Sequence, residues 1–316
     1  MKAVIVNSYG SPDVLEYADI DRPKIANDQL LVKVNASSVN PVDWKTRRGD
    51  LQMLSGFSFP KVLGSDLSGV VVEVGQGVKQ FRPGDEVYTF VNPLSGGAYA
   101  EYVAVPEGNA ALKPQNITHA EAAAVPIAGL TAFQSLMDLG QMRPGQKVLI
   151  NGASGGVGTF AVQIAKAFQA HVTGVCSAKN GRLVEGLGCD RVIDYAEVDF
   201  AEEEEKYDII LDAVGKRSFA ACEKVLEPQS VYISTLPSFD NIVPNLGSLF
   251  FPGKKAKLVL ATPSPRDLNA LRELIENGSV QPVVDRTYPL EQIAEAHAYS
   301  ETHRAVGKIV LTVEQA

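Results

Sequence analysis

The chain has 316 residues, of which 45% are hydrophobic and 21% charged, and its formal net charge is −8. This composition is globular and long enough for two domains with separate cores. The negative charge makes the chain a poor candidate for binding nucleic acid or anionic membrane, because nothing offsets phosphate repulsion. No apolar run approaches the ~18 residues of a membrane span. The N-terminal "MKAVIV" is expected to be a strand and not a signal peptide.

The first third of the chain is predicted to be β-rich. Strand-like segments alternate with turn signals such as "YGSPD", "VGQG" and "RPGD". The segments are "KAVIV", "QLLVKVNASSV", "GVVVEVG", "DEVYTF" and "AEYVAV". Many short strands with glycine and proline between them favour a partly open barrel or a sandwich-like domain.

Helical spacing begins near Thr118, where Glu121 follows in the pattern of a capping box. Apolar strands and amphipathic helices then alternate, which predicts a parallel sheet covered on both faces. The closing strands from "VVDRTYPL" to "GKIVL" are similar to those of the first third. We therefore predict one domain from residues 1–118 and 280–316, interrupted by an α/β domain of residues 119–279.

The three cysteines are Cys176, Cys189 and Cys222, and no two of them have the spacing of a CxxC motif. An odd number of widely spaced cysteines is typical of reduced thiols. We therefore expect a cytoplasmic protein.

The stretch "NGASGGVGT" lies between the apolar strand "KVLI" and an amphipathic helix. Strand, glycine-rich turn and helix in this order form a dinucleotide-binding unit. Gly155 and Gly158 take the last two glycine positions of G-x-G-x-x-G, with Ala153 in the first. Glycine lets pyrophosphate approach the backbone, and the helix N-terminus supplies N–H donors. We predict a pyrophosphate site at Ser154, Gly155, Gly156 and Val157; the alternative is a tight structural turn.

The next strand, "HVTGVC", bears on which nicotinamide cofactor is bound. NAD sites usually place a carboxylate at the end of this strand, about 20 residues on. Here Ser177 and Lys179 follow the strand, and a hydroxyl with a cation suits a 2′-phosphate. Tyr195 closes the next strand, "RVIDY", and is placed to reach the same group. The sequence favours NADPH, with an ordinary surface lysine at 179 as the alternative.

A family resemblance runs in motif order from about residue 2 to residue 312. Its segments are "NPVDWKTRRGD", "LGSDLSGVVVEVG", "FRPGDEV", "GGAYAEYVAVPE", "AAAVPIAGLTAF", "VLINGASGGVGTFAVQIAKA" and "GKIVL". The sequence resembles the medium-chain dehydrogenase/reductase superfamily, specifically its zinc-free quinone oxidoreductase branch with the plant-type alkenal/enone oxidoreductases. The resemblance implies an α/β fold: a GroES-like β-rich catalytic domain and a Rossmann cofactor domain with a doubly wound parallel sheet. It places the active site in the cleft between them.

Zinc ligands are missing from the expected positions. Zinc alcohol dehydrogenases of the superfamily carry a cysteine where this chain has Asn40 and a histidine where it has Ser65. Their structural zinc lobe has clustered cysteines, and "NPLSGG" has none. A catalytic zinc needs about three converging ligands, so no metal is predicted. Hydride transfer to an acceptor that is already electrophilic, a quinone or an α,β-unsaturated carbonyl, fits best.

The resemblance also implies roles for single residues. Asn40 and Thr131 would contact the nicotinamide ribose or carboxamide; the alternatives are a turn residue before Pro41 and helix packing. Ser177, Lys179 and Tyr195 would hold the adenosine phosphate. Lys308 would lie near the cofactor or be structural.

The proton donor and the substrate cleft are less well defined. Tyr99 is a candidate acid, although an aromatic residue there more often packs the barrel. Asp43 and Asp66 are expected to organise the former metal region, and solvent is an alternative proton source. Trp44, Phe57 and Phe59 would stack on a flat substrate in the cleft, or pack in the core.

Two other functions compete with an NADPH-dependent quinone or enone reductase. An enoyl-thioester reductase would need a basic patch for its carrier phosphate, for which Lys45, Arg47 and Arg48 are candidates. An NADPH-binding sensor or scaffold would bind without turnover. By resemblance we expect a homodimer paired through the edge strand "AKLVLA", and an organelle stroma as the location in a plant-type setting.

Overall fold

The computed structural model describes residues 1–236 and 253–313. Its contacts divide the chain into two units, which are described separately. Unit 1 contains Met1–Ile127, Pro263–Glu276 and Pro282–Ala316, and unit 2 contains Ala128–Thr262 and Asn277–Gln281. The helix Pro265–Glu276, expected in the α/β domain, is thus grouped with unit 1.

Unit 1 is built on two β-sheets. The early strands are β1 Lys2–Val6, β2 Leu15–Asp19, β3 Gln29–Val39, β4 Lys61–Val62, β5 Asp66–Val74, β6 Glu86–Phe90, β7 Tyr102–Pro106 and β8 Ala111–Leu112. The late strands are β15 Val284–Pro289 and β16 Lys308–Thr312. A three-stranded sheet has the order β2-β1-β4, and a larger sheet has the order β15-β16-β3-β5-β6-β8, with β7 also paired to β3.

The chain end returns to the first strands, as the sequence predicts. β16 runs antiparallel to β3, with Ile309 opposite Val39. The interior of unit 1 holds the only tryptophan of the chain, Trp44, which is 2% exposed and belongs to the main apolar cluster. This pairing brings Lys308 to the same end of the sheet as the loop that follows β3.

Unit 2 contains the predicted parallel, doubly wound sheet. The strands are β9 Lys147–Asn151, β10 His171–Cys176, β11 Arg191–Asp194, β12 Tyr207–Asp212, β13 Leu226–Ser234 and β14 Lys255–Leu258. Their order in the sheet is β11-β10-β9-β12-β13-β14, and every neighbouring pair is parallel. Strand β9 is buried along its last four residues, which matches its continuous apolar run.

Helices connect and cover these sheets. Within the described residues, the α-helices are Pro41–Arg48, Gln52–Ser55, His119–Ala123, Pro126–Phe133, Gly156–Ala167, Gly181–Gly186, Phe219–Cys222, Pro265–Glu276 and Ile293–Glu301. A π-helical stretch covers Gln134–Leu139. Short 3-10 helices cover Pro12–Val14, Glu107–Asn109, Ala178–Asn180, Phe200–Glu202, Glu223–Val225 and Leu290–Gln292. None of the helices in the described ranges is long and apolar enough to cross a bilayer.

The predicted capping box at Thr118 is confirmed. Thr118 Oγ1 accepts the Glu121 backbone N–H at 3.2 Å, and Glu121 Oε2 accepts the Thr118 N–H at 2.8 Å. The helix that follows stops at Ala123, and the next one begins at Pro126. Proline lacks the N–H needed inside a helix, so it starts a new helix and does not continue the first.

Candidate functional site

The glycine-rich turn follows the end of β9 and begins the helix Gly156–Ala167. Gly152 has φ of +84°, a conformation that favours glycine. A Cβ on Gly158 would lie 2.1 Å from the Gly152 carbonyl oxygen, so only glycine lets the helix pack this closely. Gly155 is the N-cap and offers no side-chain cap bond to the first helical turn. Backbone N–H groups at such a terminus suit a bound phosphate.

Space is left open at the same turn. A Cβ on Gly155 would meet only the Gly152 oxygen, at an ordinary distance of 3.4 Å. The predicted pyrophosphate residues Ser154 to Val157 are all half-buried. The backbone of the turn is therefore not covered by side chains and is partly accessible to a ligand. Ser154 to Val157 fit a dinucleotide pyrophosphate.

Neighbouring strand ends hold the turn in place. The N–H groups of Gly152 and Ala153 both donate to the Val175 carbonyl at the end of β10, each at 3.0 Å. The Asn151 amide donates to Asp212 Oδ1 at 2.8 Å. Asp212 is fully buried and also accepts backbone N–H groups from the loop after β12. This carboxylate therefore fixes the loop beside the glycine-rich turn.

The predicted adenosine-phosphate residues follow the carboxyl ends of two neighbouring strands of the parallel sheet. Cys176 and Asp194 are paired in the register of β10 and β11, so Ser177 and Tyr195 follow neighbouring positions. The Tyr195 N–H donates to the Cys176 carbonyl at 3.2 Å. Tyr195 is 64% exposed and Lys179 is exposed. The fold of unit 2 thus brings Ser177, Lys179 and Tyr195 to the same edge as the glycine-rich turn.

In unit 1, Asn40 lies between two buried charges. Lys308 donates from Nζ to Asn40 Oδ1 and lies 3.3 Å from Asp66 Oδ2. Asn40 Nδ2 donates to the same Asp66 oxygen at 2.9 Å. Asp66 Oδ1 accepts the Ile127 backbone N–H at 2.8 Å, so this carboxylate does organise loop backbone. All three side chains are at most 4% exposed.

A second buried network surrounds Asp43. Ser65 Oγ donates to Asp43 Oδ1, the Asn40 N–H donates to Oδ2 at 2.8 Å, and Tyr99 OH donates to Oδ2 at 3.2 Å. Burial raises the pKa of Asp43 to about 6. Burial, followed by the nearby Asp43 charge, raises the pKa of Tyr99 well above its ordinary value.

His297 extends this network. Its Nε2 lies 3.2 Å from Tyr99 OH, and burial lowers its pKa to about 3. Tyr99 and His297 are both fully buried. Tyr99, the predicted acid, is therefore part of a buried hydrogen-bond network, and its side chain is not exposed to solvent.

The three aromatic residues predicted for the substrate cleft have different surroundings. Trp44 packs in the core of unit 1, edge-on to His303 at 5.7 Å between ring centroids. Phe59 is half-buried and packs edge-on to Tyr9 at 5.0 Å. Phe57 is 66% exposed. Thr131, which the sequence predicts near nicotinamide, belongs to unit 2 and is buried on the helix Pro126–Phe133.

Sequence reasoning missed the partnership of Lys308 with Asn40 and the contact of His297 with Tyr99. The paired residues lie 268 and 198 positions apart, and no spacing rule connects them. The only available signal was a lysine within an otherwise apolar closing strand.

Comparison with known proteins identifies the family. Residues 26–115 match a family described as alcohol dehydrogenase GroES-like domain, and residues 187–311 match one described as zinc-binding dehydrogenase. The chain is 35% identical over 323 residues to the chloroplast envelope quinone oxidoreductase homolog of Arabidopsis thaliana, covering 98% of each.

Two further comparisons agree. The NADPH-dependent alkenal/one oxidoreductase, chloroplastic, of Arabidopsis thaliana is 36% identical over 322 residues, covering 98% of this chain and 79% of that protein. The solved quinone oxidoreductase from Coxiella burnetii is 30% identical, covers 99% of both chains and has a TM-score of 0.89. The chain therefore belongs to the medium-chain dehydrogenase/reductase superfamily, as an oxidoreductase of the group that contains quinone and alkenal/one oxidoreductases.

Proposed function

We propose that the protein is an NADPH-dependent reductase that transfers hydride to quinones or to the C=C bond of α,β-unsaturated carbonyls, without zinc. The observation that carries the proposal is the glycine-rich turn at the carboxyl edge of the parallel sheet, with Ser177 and Lys179 beside it. The names of the similar proteins support both the cofactor and the acceptor class. NADPH supplies the hydride when bound, and the protein supplies orientation.

The residues of unit 2 fit the cofactor in two places. Backbone N–H groups of Gly155, Gly156 and Val157 would bind the pyrophosphate. Ser177, Lys179 and Tyr195 would bind the 2′-phosphate through two hydroxyls and one ammonium. The absence of a carboxylate directly after β10 favours NADPH, since a carboxylate there would repel that phosphate.

The side chains of unit 1 do not fit the zinc that the family description names. An amide stands at Asn40, a hydroxyl stands at Ser65, and the Lys308 ammonium is bonded to the amide oxygen. Zinc sites in proteins use thiolate, imidazole or carboxylate donors, and a neighbouring ammonium opposes a second cation. The described residues contain no cluster of three His, Cys, Asp or Glu side chains suited to a metal.

The reaction is tested by NADPH oxidation with 1,4-benzoquinone and with a short enone and a short enal. We expect turnover with at least one acceptor, unchanged by chelator. Tight NADPH binding without turnover of any of the three would reject the reductase and favour a sensor or scaffold.

The cofactor preference is tested by Lys179→Glu, because the new carboxylate would repel the 2′-phosphate. We expect NADPH affinity to fall about 10- to 100-fold while NADH affinity changes little. Lys206→Glu is the matched control, since Lys206 is also exposed but precedes β12 at the opposite edge of the sheet. An unchanged NADPH preference in Lys179→Glu would disprove the phosphate assignment.

The basic patch needed by an enoyl-thioester reductase is smaller than the sequence suggests. Arg47 is fully buried and ion-paired with Glu301, and Arg48 is paired with Asp50. Lys45 is half-buried, and burial lowers its pKa. We therefore expect an enoyl-CoA to be a poorer acceptor than the free enone of the same chain length.

A homodimer through β14 is part of the proposal. This strand lies at the edge of the sheet, and Leu260, just beyond it, is 72% exposed. We expect sedimentation at micromolar concentration to give twice the chain mass of 33.8 kDa, and Leu260→Asp to give a monomer. Leu112→Asp, at an exposed leucine of unit 1, is the control. A monomeric parent protein would overturn the dimer.

The cytoplasmic location stays a prediction from the cysteine content, and the stromal location stays a prediction from the family resemblance. All three cysteines are buried as free thiols, and burial raises the pKa of each of them.

A further inference from the structure

The side chain of Asn40 is held at both ends of its amide. Its oxygen accepts from the Lys308 ammonium, and its nitrogen donates to the Asp66 carboxylate. The oxygen and the nitrogen of the Asn40 amide are therefore each hydrogen-bonded to a buried charged group.

The Asp66 carboxylate is in turn held rigidly. Its Oδ2 also accepts from Ser38 Oγ at 2.6 Å, and its Oδ1 accepts the Ile127 N–H. A carboxylate with donors on both oxygens has little freedom to rotate. The charge that faces Asn40 is thus fixed in position.

The charges select one of two amide orientations. Turning the Asn40 amide by 180° would place its oxygen against the Asp66 carboxylate and its NH2 group against the Lys308 ammonium. Both new contacts would be repulsive in a buried site, where charge interactions are stronger than in water. Only one N–H of the amide is used by Asp66, so the second N–H is left with a defined direction.

We propose that Lys308 and Asp66 are positioning residues that fix the Asn40 amide in one orientation and so preserve its second N–H as a donor to the nicotinamide half of the cofactor. Lys308 then acts through Asn40 and not as a direct ligand of the cofactor. This inference rests on the proposed function and deepens it, because it gives the ion pair a role in hydride-donor orientation.

The burial of Lys308 and Asp66 supports a positioning role for these two residues. Taking an ammonium and a carboxylate out of water is costly, and an apolar pair of similar volume is often as stabilising. Lys308 and Asp66 are 4% and 0% exposed. Stability alone therefore gives no need for these two charges, whereas fixing the Asn40 amide does.

The test is a double-mutant cycle between Lys308→Met and Asn40→Ala, read as kcat, KM and the dissociation constant of NADPH. We expect Asn40→Ala to lower kcat/KM about 10- to 100-fold, and Lys308→Met to lower it about 10-fold. In the Asn40→Ala background, Lys308→Met should have less than about a twofold further effect. Additive losses would show that Lys308 contacts the cofactor or substrate directly and would overturn the proposal.

Lys308→Met leaves the Asp66 carboxylate buried without its cation, so this variant can fail to fold. A second variant tests the proposal in that case. Lys308→Met combined with Asp66→Asn removes both charges and should fold. We expect its kcat to fall at least about twofold and at most as much as in Asn40→Ala, because an amide that is free to turn is in the correct orientation only part of the time. Kinetics like those of the parent protein would disprove the positioning role.

Lys113→Met is the matched control. Lys113 is also a buried lysine of unit 1, 8% exposed, and it donates to the carbonyls of Pro114 and Ile117. Its loss should lower stability and leave kcat and KM unchanged. If the parent protein binds NADPH but reduces no acceptor, the proposed function fails, and the same cycle read in NADPH affinity still decides the role of Lys308.

Discussion

At the scale of single residues, Gly155 and Gly158 meet different surroundings although both belong to the dinucleotide pattern. A Cβ on Gly158 would also lie 2.7 Å from the Ala153 Cα, so Gly158→Ala forces backbone to move. We expect this change to lower the free energy of unfolding by about 2–4 kcal/mol. Chemical denaturation of unit 2 measures the loss.

Gly155→Ala is the matched change. Its Cβ has room within the chain, and its φ of −84° suits alanine. We expect stability within about 0.5 kcal/mol of the parent protein and NADPH affinity reduced at least about tenfold, because the methyl group takes space next to the pyrophosphate donors. Unchanged NADPH affinity in Gly155→Ala would contradict the placement of the pyrophosphate.

Asp43 predicts a pH dependence of stability. Burial raises its pKa in the folded state from 3.8 to about 6, opposed by its bond to Ser65. The folded protein therefore holds this proton at pH values where the unfolded chain has lost it. Stability from this group is present below pH ~4 and falls as pH rises through ~6.

Asp43→Asn removes that dependence. Relative to the parent protein, the free energy of unfolding of the variant should rise by up to about 3 kcal/mol between pH 4 and pH 7. Urea unfolding at both pH values measures the difference between the two proteins, so that the titration of other groups cancels. A constant difference would show that Asp43 has an ordinary pKa.

At the scale of elements, the capping box predicts the stability of the helix His119–Ala123. Thr118→Ala removes the acceptor for the Glu121 N–H and should cost about 1 kcal/mol of unfolding free energy. Thr118→Ser keeps a hydroxyl and should stay within about 0.3 kcal/mol of the parent protein. Equal losses in both variants would show that the threonine methyl group, and not the cap, is responsible.

Elements with local signals could be predicted from the sequence. The capping box, the strand before the glycines and the helix after them depend on residues only a few positions apart. The break at Pro126 follows from a missing N–H. The long strand β13 differs from the predicted "VYIST" because it begins at Leu226, before Pro228 and Gln229, residues that local propensity assigns to a turn.

At the scale of the whole molecule, the turn in unit 2 and the buried network in unit 1 differ in how far the sequence predicts them. The turn in unit 2 is continuous in sequence, so motif spacing locates it. The network in unit 1 joins β3, β5 and β16, and only sheet pairing brings Lys308 to Asn40 and Asp66. Long-range pairing has no periodicity, so the sequence predicts no partner for Lys308.

The distribution of Trp44 and the cysteines gives the molecule two built-in reporters of unfolding. The only tryptophan is buried in unit 1, and Cys176, Cys189 and Cys222 are buried in unit 2. Fluorescence thus follows one unit, while thiol alkylation follows the other without any label. With saturating NADPH, the urea concentration at which half of the cysteines become alkylated should rise, because a ligand that binds the folded state of unit 2 stabilises it. Without NADPH, coincident midpoints of fluorescence and alkylation would mean that the two units unfold as one cooperative body, and separate midpoints would mean that each unfolds alone.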